Sequence, residues 1–120
     1  MPIVGVGVDL VDVARLGLVM RRTPSVSLRV FGEPADDLGT TGLQRLAARF
    51  AAKEAAAKAL GVPGGIRWRD VEVESSPSGQ PVLVVVGHTA EQARKAGVTR
   101  WHVSLSHDGG MAIAVVVAES

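Results

Sequence analysis

The chain has 120 residues, of which 47% are hydrophobic and 3% aromatic, and its formal net charge is +1. This is the size of one domain. It has no cysteine, which excludes disulfides, zinc–thiolate centres and thiol catalysis. The N-terminus lacks the basic segment of a signal peptide, and the longest apolar run, residues 111–118, is far shorter than the roughly 20 residues that span a bilayer. We therefore expect one cytoplasmic domain over residues 1–120, with no membrane association.

A first strand is predicted over residues 3–11, where branched residues alternate with small ones. Alternate side chains of a strand point to opposite faces, so Gly5, Gly7 and Asp9 share one face. Glycine in a strand marks close approach by a ligand or by another stretch of backbone. The carboxylate of Asp9 is thus predicted to lie on a face cleared of other side chains.

A short helix is predicted after this strand, with Asp12 as its N-cap. Residues 23–27, which include Pro24, are predicted to break that helix. Residues 28–42 are rich in turn formers, so we expect a loop there with at most one helical turn.

The strongest helix prediction covers residues 43–60, which are full of strong helix formers. Glu54 and Lys58 are four residues apart and share one face of this helix, as an exposed ion pair would. A basic stripe also follows at intervals of four: Arg45, Arg49 and Lys53. The spacing alone leaves open whether these charges are solvated or directed at a ligand.

The C-terminal half predicts two hairpins around a short helix. Residues 71–74 and 81–86 read as strands joined by a turn, and residues 88–97 as a surface helix. Residues 101–107 and 111–118 are two further strands joined by Asp-Gly-Gly, a strong hairpin signal. Together these elements predict one α+β domain with a largely antiparallel sheet.

Asp9 and Glu54 are candidates for a divalent metal site. Hard cations such as Mg²⁺ prefer carboxylate oxygens, and Mg²⁺ uses one or two of them together with phosphate and water. With Arg49, Lys53 and Lys58 nearby, the pair would form a metal–phosphate site. The alternative for Asp9 is a capping role at the end of its strand, which Asp12 fills better.

Residues 13–32 carry four arginines and no acidic residue. A local basic face suits an acidic protein, a phosphate-rich ligand or nucleic acid. Nucleic acid is the least favoured, because the chain has no tyrosine and only two Phe and two Trp residues on which bases could stack.

Three motifs together resemble one family. Gly7-Val8-Asp9 matches a G-[IV]-D strand, residues 50–58 match [FW]-x-x-K-E-x-x-x-K, and Ser104-Leu105-Ser106-His107 matches S-[LIT]-[ST]-H. Their order and spacing resemble holo-[acyl-carrier-protein] synthases, the short bacterial type of 4′-phosphopantetheinyl transferase. Such enzymes move the phosphopantetheine arm of coenzyme A onto a serine of apo-acyl carrier protein and release adenosine 3′,5′-bisphosphate, a step that serves fatty acid biosynthesis.

The resemblance implies roles for named positions. Asp9 and Glu54 would hold Mg²⁺, Glu54 or a water that it orients would accept the serine proton, and Lys58 would stabilise the departing phosphate. Seven positions would bind coenzyme A: Arg49, Lys53, Lys58, Gly61, Gln80, Pro81 and His107. The last three would serve the site of a neighbouring subunit, and His107 would donate a hydrogen bond to a phosphate. Four would dock the acidic carrier protein: Arg15, Met20, Arg21 and Arg22.

The resemblance also implies a homotrimer with the coenzyme A sites between subunits. Two alternatives remain open on the sequence. One is the same chemistry on a dedicated carrier of polyketide or other secondary metabolism. The other is a binding module without catalysis, either a trimer that binds coenzyme A or a small nucleotide-binding regulatory domain.

Overall fold

The computed structural model describes residues 2–34, 38–62 and 65–120. In chain order the elements are β1 (Ile3–Asp12), α1 (Val13–Arg22), α2 (Ser25–Phe31), α3 (Gly39–Ala59), a 3₁₀ turn (Trp68–Asp70), β2 (Val71–Ser75), β3 (Pro81–Val85), α4 (Gly87–Lys95), β4 (Arg100–Asp108) and β5 (Met111–Glu119). The predicted α+β class is confirmed. Within the described ranges, no helix is both long and apolar enough to cross a membrane.

The strands form two antiparallel sheets. The larger has the order β1-β5-β4, with β5 in the centre, and the smaller is the β2–β3 hairpin. Gly109 and Gly110 form the β4–β5 turn with φ angles of 57° and 77°. Both φ angles are positive, as a tight two-residue hairpin requires, so the Asp-Gly-Gly prediction is confirmed.

Helix α3 packs so closely on the inner face of the larger sheet that its backbone contacts the backbone of β1. A Cβ added at Gly7 would lie 1.8 Å from the carbonyl oxygen of Ala55, and one added at Gly5 would lie 1.8 Å from that of Ala59. The facing residues of β5, among them Ala112 and Ala114, are also small and fully buried. The glycines of β1 therefore make room for the backbone of a helix, not for a ligand.

The outer face of the same sheet carries the larger apolar side chains. On β1, Val6, Val8 and Leu10 are 59%, 50% and 58% exposed. Ile113 and Val115 on the central strand are exposed beside them. A contiguous exposed apolar face of this kind marks an interaction surface.

The predicted cap of α1 is confirmed, because Asp12 accepts a hydrogen bond from the backbone N–H of Arg15 at 3.0 Å. The loop predicted over residues 28–42 is wrong in part, because residues 28–31 belong to α2 and residues 39–42 belong to α3. Thr23 ends α1, and Pro24 precedes α2 in a helical conformation. Proline disrupts a helix that would continue through it, but it is well tolerated in the first turn of a helix that starts there.

Helix α3 begins at Gly39, four residues before the predicted start at residue 43, and its end matches the prediction. Gly61 has φ +73°, and the N–H of Val62 donates to the carbonyl of Ala57. This is a Schellman motif, which requires a residue with positive φ at the position of Gly61. Residues 35–37 of the predicted loop and residues 63–64 of the glycine-rich segment after α3 lie outside the described residues.

Candidate active site

The last inward-facing residues of β1 and the middle of α3 form one side of a groove of about 370 Å³. Asp9 and Glu54, which are 45 positions apart in the sequence, both line it. Asp9 reaches it because the preceding inward positions of β1 are glycines, so α3 lies close enough for Glu54 to face the strand. We call this space the acidic groove. The structure thus brings the two predicted carboxylates together.

Lys58 connects the two elements that carry these carboxylates. Its Nζ lies 3.1 Å from Oδ1 of Asp9 and donates to the carbonyl oxygen of Val8 at 2.9 Å. The Lys58 side chain is 45% exposed and that of Asp9 is 17% exposed. Lys58 is not among the residues that line the groove, but this contact holds its ammonium beside Asp9, which does line it.

The environment of Glu54 favours its protonated form. Burial raises the pKa of the Glu54 carboxyl above its ordinary value, and the nearby charge of Asp9 raises it further, whereas Lys58 acts in the opposite direction. Two carboxylates that share a partly buried site repel each other in this way. A cation bound between them would relieve that repulsion.

The donor set fits Mg²⁺. In the described part of the chain, no group of three or more His, Cys, Asp or Glu side chains is placed to hold a metal ion. A pair of carboxylates is instead what Mg²⁺ uses when substrate phosphates and water complete its octahedral shell. The acidic groove offers such a pair, with room left for phosphate oxygens.

Lys53 differs from its predicted role. Its side chain is 1% exposed, and its Nζ donates to the carbonyl oxygens of Trp68 at 2.6 Å and Val71 at 2.5 Å. Glu72 lies 3.6 Å from the same ammonium. Burial lowers the pKa of Lys53, although Glu72 opposes that effect. Residues 53 and 54 of a helix point about 100° apart, so Lys53 faces away from the groove and is not available to a phosphate of coenzyme A.

Sequence reasoning missed the aromatic side chains that line the groove beside the carboxylates. Phe31 from α2 and Phe50 from α3 line the acidic groove, and their ring centroids are 6.5 Å apart. Phe50 also packs on Trp68 at 5.4 Å. Phe50 lies four residues before Glu54, and this helical spacing was the available sign that the two share a face.

Comparison with known proteins agrees with this geometry. The family model of the 4′-phosphopantetheinyl transferase superfamily matches residues 5–116. The chain belongs to this superfamily. A holo-[acyl-carrier-protein] synthase of Frankia casuarinae is 50% identical over 120 residues, which is 100% of both chains. The family predicted from the sequence motifs, a family of phosphopantetheinyl transferase enzymes, is therefore confirmed.

Solved structures of this superfamily share the fold. The crystal structure of holo-[acyl-carrier-protein] synthase from Neisseria meningitidis has a TM-score of 0.84 at 27% identity and covers 99% of this chain and 100% of its own. The Helicobacter pylori enzyme in complex with coenzyme A has a TM-score of 0.77 at 31% identity and covers 95% of this chain and 99% of its own.

Two further positions predicted to bind coenzyme A lie in the middle of α3 and just after its end. Arg49 is half-buried on α3, and its guanidinium lies 4.0 Å from Glu33, directly after α2. Gly61 follows α3, and its conformation is accounted for by the helix end. Neither residue lines the acidic groove.

Gln80, Pro81 and His107 also lie outside the acidic groove of their own chain. Gln80 is exposed at the tip of the β2–β3 hairpin, and Pro81 begins β3. His107 is exposed near the end of β4, opposite Ala112 of β5. These positions agree with a role in the site of a neighbouring subunit, which stays a prediction.

The four positions predicted to dock a carrier protein divide into two groups. Arg15, Arg21 and Arg22 are exposed on α1, and Arg15 also lines the acidic groove. Met20 is only 4% exposed and belongs to the core, so its predicted docking role is not supported by its position. Its place on the buried stripe of α1 follows from the helical period.

A larger groove of about 1090 Å³ lies between α1, α2 and the start of α3. Its described lining is mostly apolar, includes Arg21 and Leu28, and contains no carboxylate. It therefore lacks the ligands that a metal–phosphate site needs, and the smaller acidic groove is the better candidate for the chemistry.

Proposed function

We propose that the protein transfers the 4′-phosphopantetheine arm of coenzyme A to a serine of apo-acyl carrier protein in a Mg²⁺-dependent reaction that serves fatty acid biosynthesis in the cytoplasm. Adenosine 3′,5′-bisphosphate is the second product. The observation that carries this proposal is that Asp9 and Glu54 line one groove while the ammonium of Lys58 lies 3.1 Å from Asp9. The coenzyme A bound by the Helicobacter pylori relative supports the substrate.

The groove residues supply what phosphoryl transfer needs, which is positioning and neutralisation of charge. Asp9 and Glu54 would hold Mg²⁺, which neutralises charge on the diphosphate of coenzyme A when bound. The serine oxygen forms a bond to the phosphorus that carries pantetheine, and the bond from that phosphorus to the bridging oxygen breaks. Glu54, or a water that it orients, accepts the serine proton.

Lys58 would stabilise the leaving group. Its half-exposed ammonium is held at the groove by Asp9 and Val8. The bridging oxygen becomes a terminal phosphate oxygen of adenosine 3′,5′-bisphosphate and gains negative charge as its bond breaks. An ammonium beside that oxygen lowers the energy of the transition state.

The remaining phosphates and the adenosine of coenzyme A would contact residues outside the groove. Arg49 and Gly61 would serve the same subunit, while Gln80, Pro81 and His107 would serve a neighbour. This division requires an oligomer, and the family resemblance implies a homotrimer. The exposed apolar outer face of the sheet supports self-association. Sedimentation velocity should give the mass of three chains, and a monomer at assay concentration would contradict shared sites.

Docking of the acidic carrier protein is assigned to α1. Arg21 and Arg22 are exposed in its last turn, and no acidic residue occupies its first turn. Arg22→Glu should raise KM for the carrier at least tenfold and leave KM for coenzyme A unchanged, because charge complementarity governs encounter with an acidic partner. Lys95→Glu, at the exposed end of α4, is the control and should change neither. Equal rises in both KM values for Arg22→Glu would contradict docking on α1.

The deciding experiment is intact-mass spectrometry of apo-acyl carrier protein incubated with the protein and coenzyme A. With Mg²⁺ we expect a gain of one phosphopantetheine arm, and with excess EDTA no gain. Asp9→Asn and Glu54→Gln should be folded and inactive. A second apo-carrier from a polyketide synthase tests the carrier class by comparison of rates. If neither carrier gains mass while coenzyme A still binds, the chain is a binding module and the proposal fails.

A further inference from the structure

The buried ammonium of Lys53 has three oxygen partners from one segment of chain. It donates to the carbonyls of Trp68 and Val71 and lies 3.6 Å from a carboxylate oxygen of Glu72. Those residues form the 3₁₀ turn and the start of β2. Lys53 therefore ties α3 to the segment that follows the glycine-rich loop, on the side away from Asp9.

The opposite side of α3 is fixed by a different kind of contact. There the carbonyl of Ala55 faces Gly7 at a distance that leaves no room for a Cβ. Glu54 lies in sequence between Lys53 and Ala55, and successive helical residues differ by about 100° around the axis. The helix is thus held at two points of its circumference, and Glu54 projects between them into the acidic groove.

We propose that Lys53 is a positioning residue that fixes the rotation of α3 about its axis and thereby the place of Glu54 beside Asp9. The inference rests on the proposed function in that Glu54 is taken to act in the transfer reaction. A misplacement of about 1 Å at a reacting group lowers a rate about a hundredfold. A small rotation of α3 would therefore lower turnover without unfolding the domain.

This role differs from a purely structural one in a measurable way. Apolar residues that replace both partners of a buried ion pair often cause no loss of stability, whereas removal of one partner alone is destabilising. Lys53→Met keeps the length of the side chain and removes the ammonium. Because the carbonyls of Trp68 and Val71 lose their donor, we expect a lower Tm. Well below that Tm, the folded variant should have kcat lowered about a hundredfold. The KM for coenzyme A should stay within about twofold, since the ammonium of Lys53 is buried among oxygens of Trp68, Val71 and Glu72.

Lys95→Met is the matched control, because Lys95 is exposed at the end of α4. It should leave kcat and both KM values unchanged. Glu72→Gln removes one of the three partners and keeps both carbonyl bonds, so it should lower kcat less than Lys53→Met and again spare KM. It also tests the proposal if Lys53→Met fails to fold.

A second readout is independent of turnover. In ¹H–¹⁵N spectra, the amide resonance of Asp9, on the strand across α3 from Lys53, should shift in Lys53→Met and stay in place in Lys95→Met. An unmoved Asp9 resonance or an unchanged kcat would overturn the positioning role, and a rise in KM for coenzyme A at constant kcat would indicate direct phosphate binding instead. If the wild type transfers nothing, the proposed function fails, whereas the Asp9 resonance still decides whether Lys53 sets the helix.

Discussion

Gly7→Ala tests whether the backbone contact between β1 and α3 sets the site. The new Cβ would lie 1.8 Å from the carbonyl oxygen of Ala55, about 1.6 Å short of the 3.4 Å at which ordinary contact begins. Backbone on both sides cannot change rotamer, so α3 must move. Overpacking of this kind costs about 1–3 kcal/mol, which for a domain of this size lowers Tm by roughly 4–12 °C. Because Glu54 directly precedes Ala55, we expect kcat to fall about a hundredfold.

The assay pairs thermal unfolding with the transfer rate well below Tm. Gly97→Ala is the control, since Gly97 has φ +88° with nothing within 4 Å of an added Cβ. An alanine in that conformation costs about 1–2 kcal/mol, so the control loses stability without touching α3 and should keep its kcat. Wild-type kcat in folded Gly7→Ala would refute the argument that this contact places Glu54.

Three further outcomes are expected. The pKa of Glu54 is raised in the folded protein, so stability is lost as pH rises from the ordinary pKa of 4.5 through the folded pKa. In metal-free buffer Glu54→Gln should therefore raise Tm more at pH 8 than at pH 4. Equal shifts at the two pH values would contradict the repulsion between Glu54 and Asp9. Lys58→Met should cost less than about 1 kcal/mol in urea unfolding, since its pair with Asp9 is half-exposed; a loss above 3 kcal/mol would show a buried pair. Asp12→Ala should cost about 1 kcal/mol through the lost cap on Arg15, and an unchanged urea midpoint would argue against that cap.

The sequence predicted those features that depend on local pattern. Alternation along β1 placed Asp9 on the inner face, and the carboxylate at position 12 marked the start of α1. The Asp-Gly-Gly turn fixed the β4–β5 hairpin because only a few residue types adopt its backbone conformation. In each case the deciding interaction lies within a few residues along the chain.

Features that depend on tertiary partners were not predictable in the same way. The six alanines between residues 51 and 59 of α3 give no contrast between an inner and an outer face. The hydrophobic period therefore could not tell which way Lys53 points. Its partners lie 15 and 18 residues further on. Likewise Pro24 follows the end of α1 and precedes α2. A proline alone does not tell whether a loop or a new helix comes after it.

The central strand has a consequence for how this domain exists in solution. On β5 the side chains that face α3 are mostly alanine, while Ile113 and Val115 point out of the subunit. The exposed apolar side chains of β5 therefore add little to the free energy of unfolding of an isolated chain, because water still covers them. Under the proposed assembly, the free energy of unfolding then includes a contribution from association and rises with protein concentration. Dilution alone would lower the Tm, so the stability of this domain depends on protein concentration as well as on the amino-acid sequence.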